Sequence, residues 1–397
     1  MTRRSDGPVG RTHSVELASR RREPTARTQH QSVGQLVQQH LREAARSRPL
    51  GDKLEQNETG GSVKRVVGGG RLGFSGWEFV LPARHATTLA PMSTDTILVT
   101  GGTGKIGSAF VSLLAADASA PVVRVATRDP SAPGARLMRA LNPATVVPTA
   151  FDVDKPDSLK AAFEGVTRLF VIAPFVPDMA AWHGKVAEAA RSAGVSYAVK
   201  VSVTGARAPG GDPAPGRIPL SHWQGEQALL SAGLSATMIR PTIFMQHFLT
   251  VPALYVPRAD RFFLPTGPAK VAWLDCRDIA AAAAALITAA PAERAPFEGK
   301  AFELTGPQAL TAAEVSEILS WVARRTISHV DGVEAFSAHA QELGVPDIFK
   351  GIYGEAAGGW FGAVDTTLFT KLLGRTTTPF ARFALDAAAQ FGSAAGD

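Results

Sequence analysis

Residues 96–107 read Thr-Ile-Leu-Val-Thr-Gly-Gly-Thr-Gly-Lys-Ile-Gly, and no other stretch limits the fold as tightly. Strand-forming residues stop at Gly101, Gly104 and Gly107, after which SAFVSLLAA runs with helical spacing, so the glycines lie on a strand-to-helix turn. The first permits a tight turn, the second lets backbone approach a pyrophosphate, and the third lets helix and strand pack closely. The helix N-terminus then offers N–H groups and a positive dipole end to phosphates. A glycine triplet alone is weak evidence; the βα pattern that follows, with a phosphate partner at the next strand end, turns it into a dinucleotide-binding reading. A phosphate-loop NTPase is excluded, because Val99 stands where its first glycine belongs and Ile106, after Lys105, cannot hold magnesium.

The second strand, PVVRVATR, ends at Arg128. An acidic residue near this point would hold ribose hydroxyls, whereas a basic one accommodates a 2′-phosphate. Arg128 therefore argues for NADP(H); a solvated surface arginine is the plain alternative, and with Asp129 adjacent NAD(H) stays open. A short helix closing at Leu137 to Leu141, a strand ATVVPTAFDV, a helix from Pro156 and an almost wholly apolar strand TRLFVIAPF follow. Then come helix HGKVAEAARSAG, strand YAVKVSVTG, helix HWQGEQALLSAG and strand SATMIRP. Such alternation predicts an α/β fold, a doubly wound parallel Rossmann sheet over residues 92–245. Beyond it the rhythm breaks. IFMQHFL reads as an apolar helix, RFFLPTG and KVAWLDC as short strands, DIAAAAAALITAA as a helix and KAFELTG as a strand returning to the sheet. TAAEVSEILSWVARR is amphipathic, with Val315, Ile318, Leu319 and Val322 on one face. Residues 246–397 are thus expected to form a smaller, mainly helical substrate-binding lobe, with Rossmann elements returning at about 271–307.

The net charge of +6 is unevenly placed. Residues 1–91 carry 15 Lys and Arg against 8 Asp and Glu, leaving 26 against 27 of the chain's totals of 41 and 35 for the remainder. Basicity therefore belongs to the extension, and nothing points the globular part at nucleic acid. Low apolar periodicity makes 1–91 a disordered extension, with a short helix near Val33 to Arg46. Asp6, Glu16 and Glu23 spoil a transit-peptide pattern, and Met92, opening MSTDTILVTGG a few residues before the first strand, makes an over-extended start the expected alternative to a true extension. Cys276 is the only cysteine, so disulfides within the chain and Cys-based zinc sites are excluded, and no metal site is expected. The longest apolar run, Ile279 to Ala290, is too short to span a bilayer. A cytoplasmic location without a membrane partner fits these features.

With VTGGTGKIG, FDVDKPDSLKAAFEGV, the run from Tyr197 to Gly205, HWQGEQALLSAGLSATMIRPTIFMQHFL, VAWLDCRDIAAAAAAL and FELTGPQALTAAEVSEIL, the chain resembles the NmrA-like, atypical short-chain dehydrogenase/reductases over about residues 95–391. The likeness is strongest to their NAD(P)H-dependent quinone and azo-dye reductase-like branch. It implies phosphate contacts at Gly101, Thr103, Gly104, Lys105, Ile106 and Gly107, and an adenosine-phosphate contact at Arg128. It further implies Asp152 and Val153 beside adenine, Ala173 and Pro174 flanking the inner ribose, and Ser202 facing the nicotinamide. Phe151 departs from the glycine usual in the family.

Ordinary members of the wider superfamily use Tyr-x-x-x-Lys on one helix face, the Lys lowering the Tyr pKa so that Tyr protonates a carbonyl. Here His222 and Glu226 stand at that spacing, and Tyr197, Tyr255 and Tyr353 all lack Lys four residues on. Alcohol oxidation by that route, and sugar-nucleotide epimerisation with it, are disfavoured. What remains is hydride delivery to a small flat acceptor needing little acid catalysis, such as a quinone, azo or imine compound. Phe175, Trp223, Phe244, Met245, Phe248 and Phe263 are candidates for a stacking surface, with core packing as the alternative for each. His222 is the candidate proton donor, with Glu226 one turn on to hold its ring, although a His at a loop-to-helix junction also serves as a cap. Ser202 either meets substrate or caps a strand, and Cys276 reads as a buried small residue near a strand terminus. A non-catalytic NADP-binding redox sensor is the reading from a different class, since it needs no Tyr-Lys pair.

Overall fold

The computed structural model describes residues 72–74, 77–79 and 95–392, apart from 118–119, 211–215, 252–253, 257–259 and 346–347. Within the extension the described part is an antiparallel pair, Leu72–Phe74 with Trp77–Phe79. The helix expected near 33–46 lies outside the described residues.

From residue 95 the chain alternates strand and helix: β1 Thr96–Val99, α1 Lys105–Ala115, β2 Val122–Thr127, α2 Pro133–Leu141, β3 Val146–Ala150, α3 Pro156–Phe163, β4 Arg168–Val171, α4 Met179–Ser192, β5 Tyr197–Val201, α5 Arg217–Ser231 and β6 Ala236–Pro241. The next elements are α6 His247–Thr250, β7 Tyr255–Val256, β8 Arg261–Phe263, α7 Cys276–Thr288, α8 Pro291–Arg294 and β9 Ala301–Leu304. The chain closes with α9 Ala312–Ala323, β10 Ser328–Val330, α10 Val333–Glu342, α11 Ile348–Ala357, α12 Thr367–Leu373, α13 Phe380–Asp386 and α14 Ala388–Gly392.

Seven strands form one sheet in the order β9-β6-β5-β4-β1-β2-β3, every pair parallel. Helices cover both faces, so the central strands β4 and β5 are buried throughout and are apolar but for Arg168 and Lys200. The order reverses between β1 and β4. A crevice must open at that switch point beyond the strands' carboxyl ends. There the Thr100 hydroxyl donates to the Ile172 carbonyl at 3.0 Å and accepts from the Ile172 amide at 2.8 Å, tying the two strand ends together.

Helix α1 packs against α7, and with Phe110, Phe170, Val199, Ile279 and Leu286 forms the core of one face. The other face buries Leu98, Val171, Ala198 and Met238 against α3, α4 and α5. A separate core around Phe248, Trp273, Val315, Leu319, Phe336 and Phe380 holds the C-terminal lobe, beside a three-stranded sheet ordered β10-β8-β7. In α9 the capping box of Thr311 and Glu314 fixes the start, and Val315, Ile318 and Leu319 face this core.

Three boundaries differ from the periodicity reading. Helix α5 begins five residues earlier than its apolar pattern suggests, because Gly216 caps it ahead of Arg217, so His222 lies in the second turn rather than at a junction. The IFMQHFL stretch is helical only from His247, since the Met245 amide donates to the Leu274 carbonyl and the Leu274 amide to the Ile243 carbonyl. KVAWLDC makes isolated bridges to Leu310 and Phe244 instead of a strand, and Cys276 opens helix α7 behind the Asp275 cap.

Candidate active site

The glycine turn is shaped by contacts that only glycine permits. Gly101 has φ +63°, the left-handed region, and its carbonyl accepts from the Gly104 amide at 2.9 Å. A Cβ on Gly107 would stand 2.3 Å from the Gly101 carbonyl oxygen and 2.6 Å from the Gly102 Cα, so helix and turn approach as closely as backbones can. No side chain caps α1 at Gly104, and the helix N-terminus opens into a cavity of about 320 Å3. Backbone donors at an uncapped helix end, in a cradle that side chains would fill, fit a pyrophosphate.

The cavity lies at the carboxyl ends of β1, β4, β5 and β6. Gly101, Gly104, Lys105, Ile106 and Gly107 line it on one side, Ala173, Phe175, Ser202, Thr204 and His222 at the centre, and Phe244, His247, Phe349, Ile352 and Phe361 on the lobe side. Of the residues singled out from the sequence, Thr103, Arg128, Asp152, Val153, Pro174, Trp223, Met245, Phe248 and Phe263 are not in this wall. Met245 and Phe248 are fully buried, Phe248 within ring contact of Phe262, Trp273 and Phe380; their periodicity reflects the lobe's core. Trp223 is half-buried on α5 away from the cavity, and Phe263 stacks on His339 at 4.4 Å.

Arg128 stands exposed on the loop after β2, and Asp152 half-buried on the loop after β3. The neighbouring Asp129 is engaged elsewhere: Oδ1 accepts from the Ser131 amide at 2.8 Å and hydroxyl at 2.6 Å, and Ser131 chiefly holds its carboxyl below the usual range. Asp152 accepts from the Asp154 amide at 3.0 Å and pairs with Lys155 at 3.1 Å, which lower its pKa in that order. The ring of Phe151 turns inward, 6.3 Å from Phe163 and 6.4 Å from Trp182, so the bulk that replaces glycine is absorbed by the core.

Glu226 does not hold the His222 ring. Its carboxylate takes a bidentate contact from Arg240, at 2.9 and 2.6 Å, and accepts the Ser202 hydroxyl at 2.5 Å. Because Ser202 gives its only hydroxyl proton to Glu226, it presents lone pairs, not a donor, to the cavity. The partner of His222 is Lys200, whose Nζ lies 3.3 Å from Nδ1. Alternation along β5 sends Tyr197, Val199 and Val201 to the α1/α7 face and Lys200 and Ser202 to the α4/α5 face. Tyr197 is far from this chemistry, its hydroxyl 2.6 Å from Thr237 and its ring under Arg294.

Lys200 is fully buried, and desolvation lowers its pKa to about 7. His222 is held neutral, well below the usual imidazole value, first by burial and then by the Lys200 charge. A third base stands behind them. His183 on α4 fills the notch left by Gly225, where a Cβ would meet its ring at 2.6 Å, and burial lowers its pKa to about 3. Its Nδ1 lies 2.7 Å from the Met179 carbonyl. At the lobe edge His247 is likewise kept neutral by burial, with Nδ1 3.0 Å from the Tyr353 hydroxyl. The sequence pattern assigned no role in the site to Lys200, His183 and His247, nor to Phe349, Ile352 and Phe361 of the lobe wall. The signal for Lys200 was there, a lysine in the middle of a strand buried on both faces; for the histidines none was.

Among the described residues no group of three or more His, Cys, Asp and Glu is placed to hold a metal, and no helix is long and apolar enough to cross a membrane.

The chain is similar to known proteins in sequence and in fold. The NmrA-like family model matches residues 93–346. An NAD(P)H azoreductase of Xenophilus azovorans is 35% identical over 75% of this chain and 100% of its own length. A (4-alkanoyl-5-oxo-2,5-dihydrofuran-3-yl)methyl phosphate reductase of Streptomyces griseus is 31% identical over 74% of this chain and 99% of that protein. Among solved structures, an NADPH-dependent quinone oxidoreductase of Escherichia coli in complex with NADPH superposes with a TM-score of 0.62 at 26% identity, covering 72% of this chain and 98% of that one. The seven-stranded parallel sheet, the glycine turn at its switch point and these matches together show that the chain belongs to the NmrA-like family of NAD(P)-binding, Rossmann-type proteins.

Proposed function

We propose that this protein is an NAD(P)H-dependent reductase that delivers hydride to a small flat acceptor of the quinone, azo or imine type, with NADPH preferred. The observation that carries the reading is the continuity of one cavity, from the glycine turn past Ser202 and His222 to an aromatic wall of Phe175, Phe244, Phe349 and Phe361. When bound, the nicotinamide supplies the hydride.

The chain's own residues do the rest. Gly101, Gly104 and Gly107 with the N-terminus of α1 hold the pyrophosphate, and Thr103, Lys105 and Ile106 are assigned to the same contact. Arg128 takes the 2′-phosphate, the carboxylate of Asp129 being turned to the Ser131 amide and hydroxyl. Asp152 and Val153 border the adenine side, and Ala173 and Pro174 the inner ribose. Ser202 accepts a hydrogen bond from a donor in the cavity. The aromatic wall stacks the acceptor, which aligns it for transfer. His222, with Nδ1 turned to Lys200, leaves Nε2 for the acceptor.

The azo, quinone and lactone chemistry in the relatives' names agrees with a planar conjugated acceptor. The test is NADPH oxidation by the purified protein against a quinone, an azo dye and a cyclic imine. Turnover of at least one at a rate above the uncatalysed reaction is expected; tight NADPH binding with no oxidation would replace this reading by the redox sensor.

A further inference from the structure

We propose that Lys200 is the positioning residue that sets the protonation of His222, donating from Nζ to Nδ1 so that Nε2 carries the proton offered to the acceptor. This deepens the reductase reading and rests on it for the acceptor's presence, but the Lys-His coupling exists in the free protein.

Four observations converge. Lys200 is entirely buried and makes no ion pair among the described residues; its partners are the Val201 carbonyl at 3.2 Å and His222 Nδ1 at 3.3 Å. His222 is the cavity-lining member of the pair, while Lys200 is not in the wall. The carboxylate in the neighbourhood, Glu226, has both oxygens engaged by Arg240 and Ser202. His183 closes the cluster from α4, with Nδ1 on the Met179 carbonyl and Nε2 buried with no hydrogen-bond partner among the described residues. The charged and titratable groups facing Lys200 are therefore His222 and Glu226 on α5, Arg240 on β6 and His183 on α4.

An ammonium can only donate, so Nδ1 must accept, and the neutral ring then carries its hydrogen on Nε2. Burial lowers both groups, Lys200 to about 7 and His222 to well below the usual imidazole value, so His222 stays neutral and Lys200 is the member of the pair that changes charge near neutral pH. In the reaction two electrons arrive with the hydride at one atom of the acceptor. The neighbouring nitrogen or oxygen forms its N–H or O–H bond with the proton leaving His222 Nε2, as one Nζ–H proton passes to Nδ1. Lys200 is left as a neutral amine and His222 as the Nδ1–H tautomer. After product leaves, Nε2 takes a proton from cavity water and Nδ1 returns its own to Nζ. An azo bond, whose reduction requires this proton, depends on the relay; a quinone, which collects protons from solvent, depends on it little.

The experiment has two arms. In the first, 15N spectra of the cofactor-free protein are recorded from pH 5 to 9, with the His222 signals identified by their loss in His222→Gln. A proton on Nε2 and an Nδ1 shift that follows a midpoint near 7 are expected, with that transition absent in Lys200→Met. A proton on Nδ1 at pH 6, or an unchanged transition in Lys200→Met, would overturn the proposal. In the second, the ratio of azo-dye to quinone turnover should fall as pH rises through about 7 in wild type. In Lys200→Met it should be pH-independent and lower by about a hundredfold. If Lys200→Met does not fold, the wild-type spectra and pH ratio decide alone. A ratio flat with pH overturns the relay; no turnover of any acceptor refutes the reductase and leaves the first arm to judge the coupling.

Discussion

The two ends of the cavity are built by different physics. At the phosphate end, backbone does the work: Gly101 at positive φ, Gly107 against the Gly101 carbonyl and an uncapped helix start form the cradle, with no buried charge required. At the β5/α5 end, side chains from four elements are locked into a buried polar cluster in which Glu226, Arg240, Ser202, Lys200, His222 and His183 satisfy or perturb one another. A backbone site tolerates change everywhere except at its glycines. A buried charge site transmits change at any member to the rest.

This contrast can be broken most sharply at Glu226. Changing Glu226→Gln replaces the charged, bidentate partner of the Arg240 guanidinium with a single amide oxygen, for which Arg240 and the Ser202 hydroxyl then compete. Unfolding by urea should show a loss of about 3 to 5 kcal/mol; a loss under about 1 kcal/mol would mean that the pair is hydrated and the cluster loosely coupled. The phosphate end should answer to one methyl group. Gly107→Ala forces a Cβ onto two backbone atoms that cannot move aside, so we expect about 2 to 3 kcal/mol of lost stability and weakened binding of NADPH and NADH alike. Ala at this position with full cofactor affinity would show that the turn is not the cradle.

That difference also explains what the sequence could reveal. Local rules wrote the phosphate end into consecutive residues, so the turn, the strand rhythm and the parallel sheet were all legible from TILVTGGTGKIG onward. The return of KAFELTG as β9 beside β6 was legible for the same reason, an apolar strand needing a buried place. The proton end was not, because it depends on which side chains meet across β5, α4, α5 and β6. The i, i+4 spacing of His222 and Glu226 predicted a contact that Arg240 and Ser202 pre-empt. Met245 and Phe248 had the right composition for a substrate wall, yet the lobe needs them as its own core. Phe349, Ile352 and Phe361, which do line the cavity, lie over a hundred residues further along, where no local pattern ties them to the site.

A smaller effect separates the cofactor's two ends. Arg128→Ala should weaken NADPH binding by about 1.5 to 3 kcal/mol, the value of a charge-assisted contact, and leave NADH nearly unchanged. Calorimetric titration with both cofactors measures this; equal losses would move the 2′-phosphate away from β2 and make Arg128 a solvated side chain.

The last prediction concerns the cost of the proton end, and its sign runs opposite to the others. Lys200 titrates near 7 in the folded protein against 10.5 for its ordinary value, because burial disfavours the ammonium. Below pH 7 it is charged in both folded and unfolded states, and the whole desolvation penalty is present. Between about 7 and 10.5 the unfolded state binds more protons, so this group's contribution to stability rises with pH until the amine is neutral in both states. Lys200→Met, which keeps the length and discards the charge, should therefore stabilise the protein by about 1 to 2 kcal/mol at pH 6.5, discounted because the ammonium keeps two acceptors. The gain should shrink toward pH 10, read from urea unfolding of both proteins across that range. A destabilised variant with a pH-independent deficit would mean that Lys200 holds the core together. A stabilised variant that has lost azo-dye turnover would show a buried charge kept for chemistry at the fold's expense.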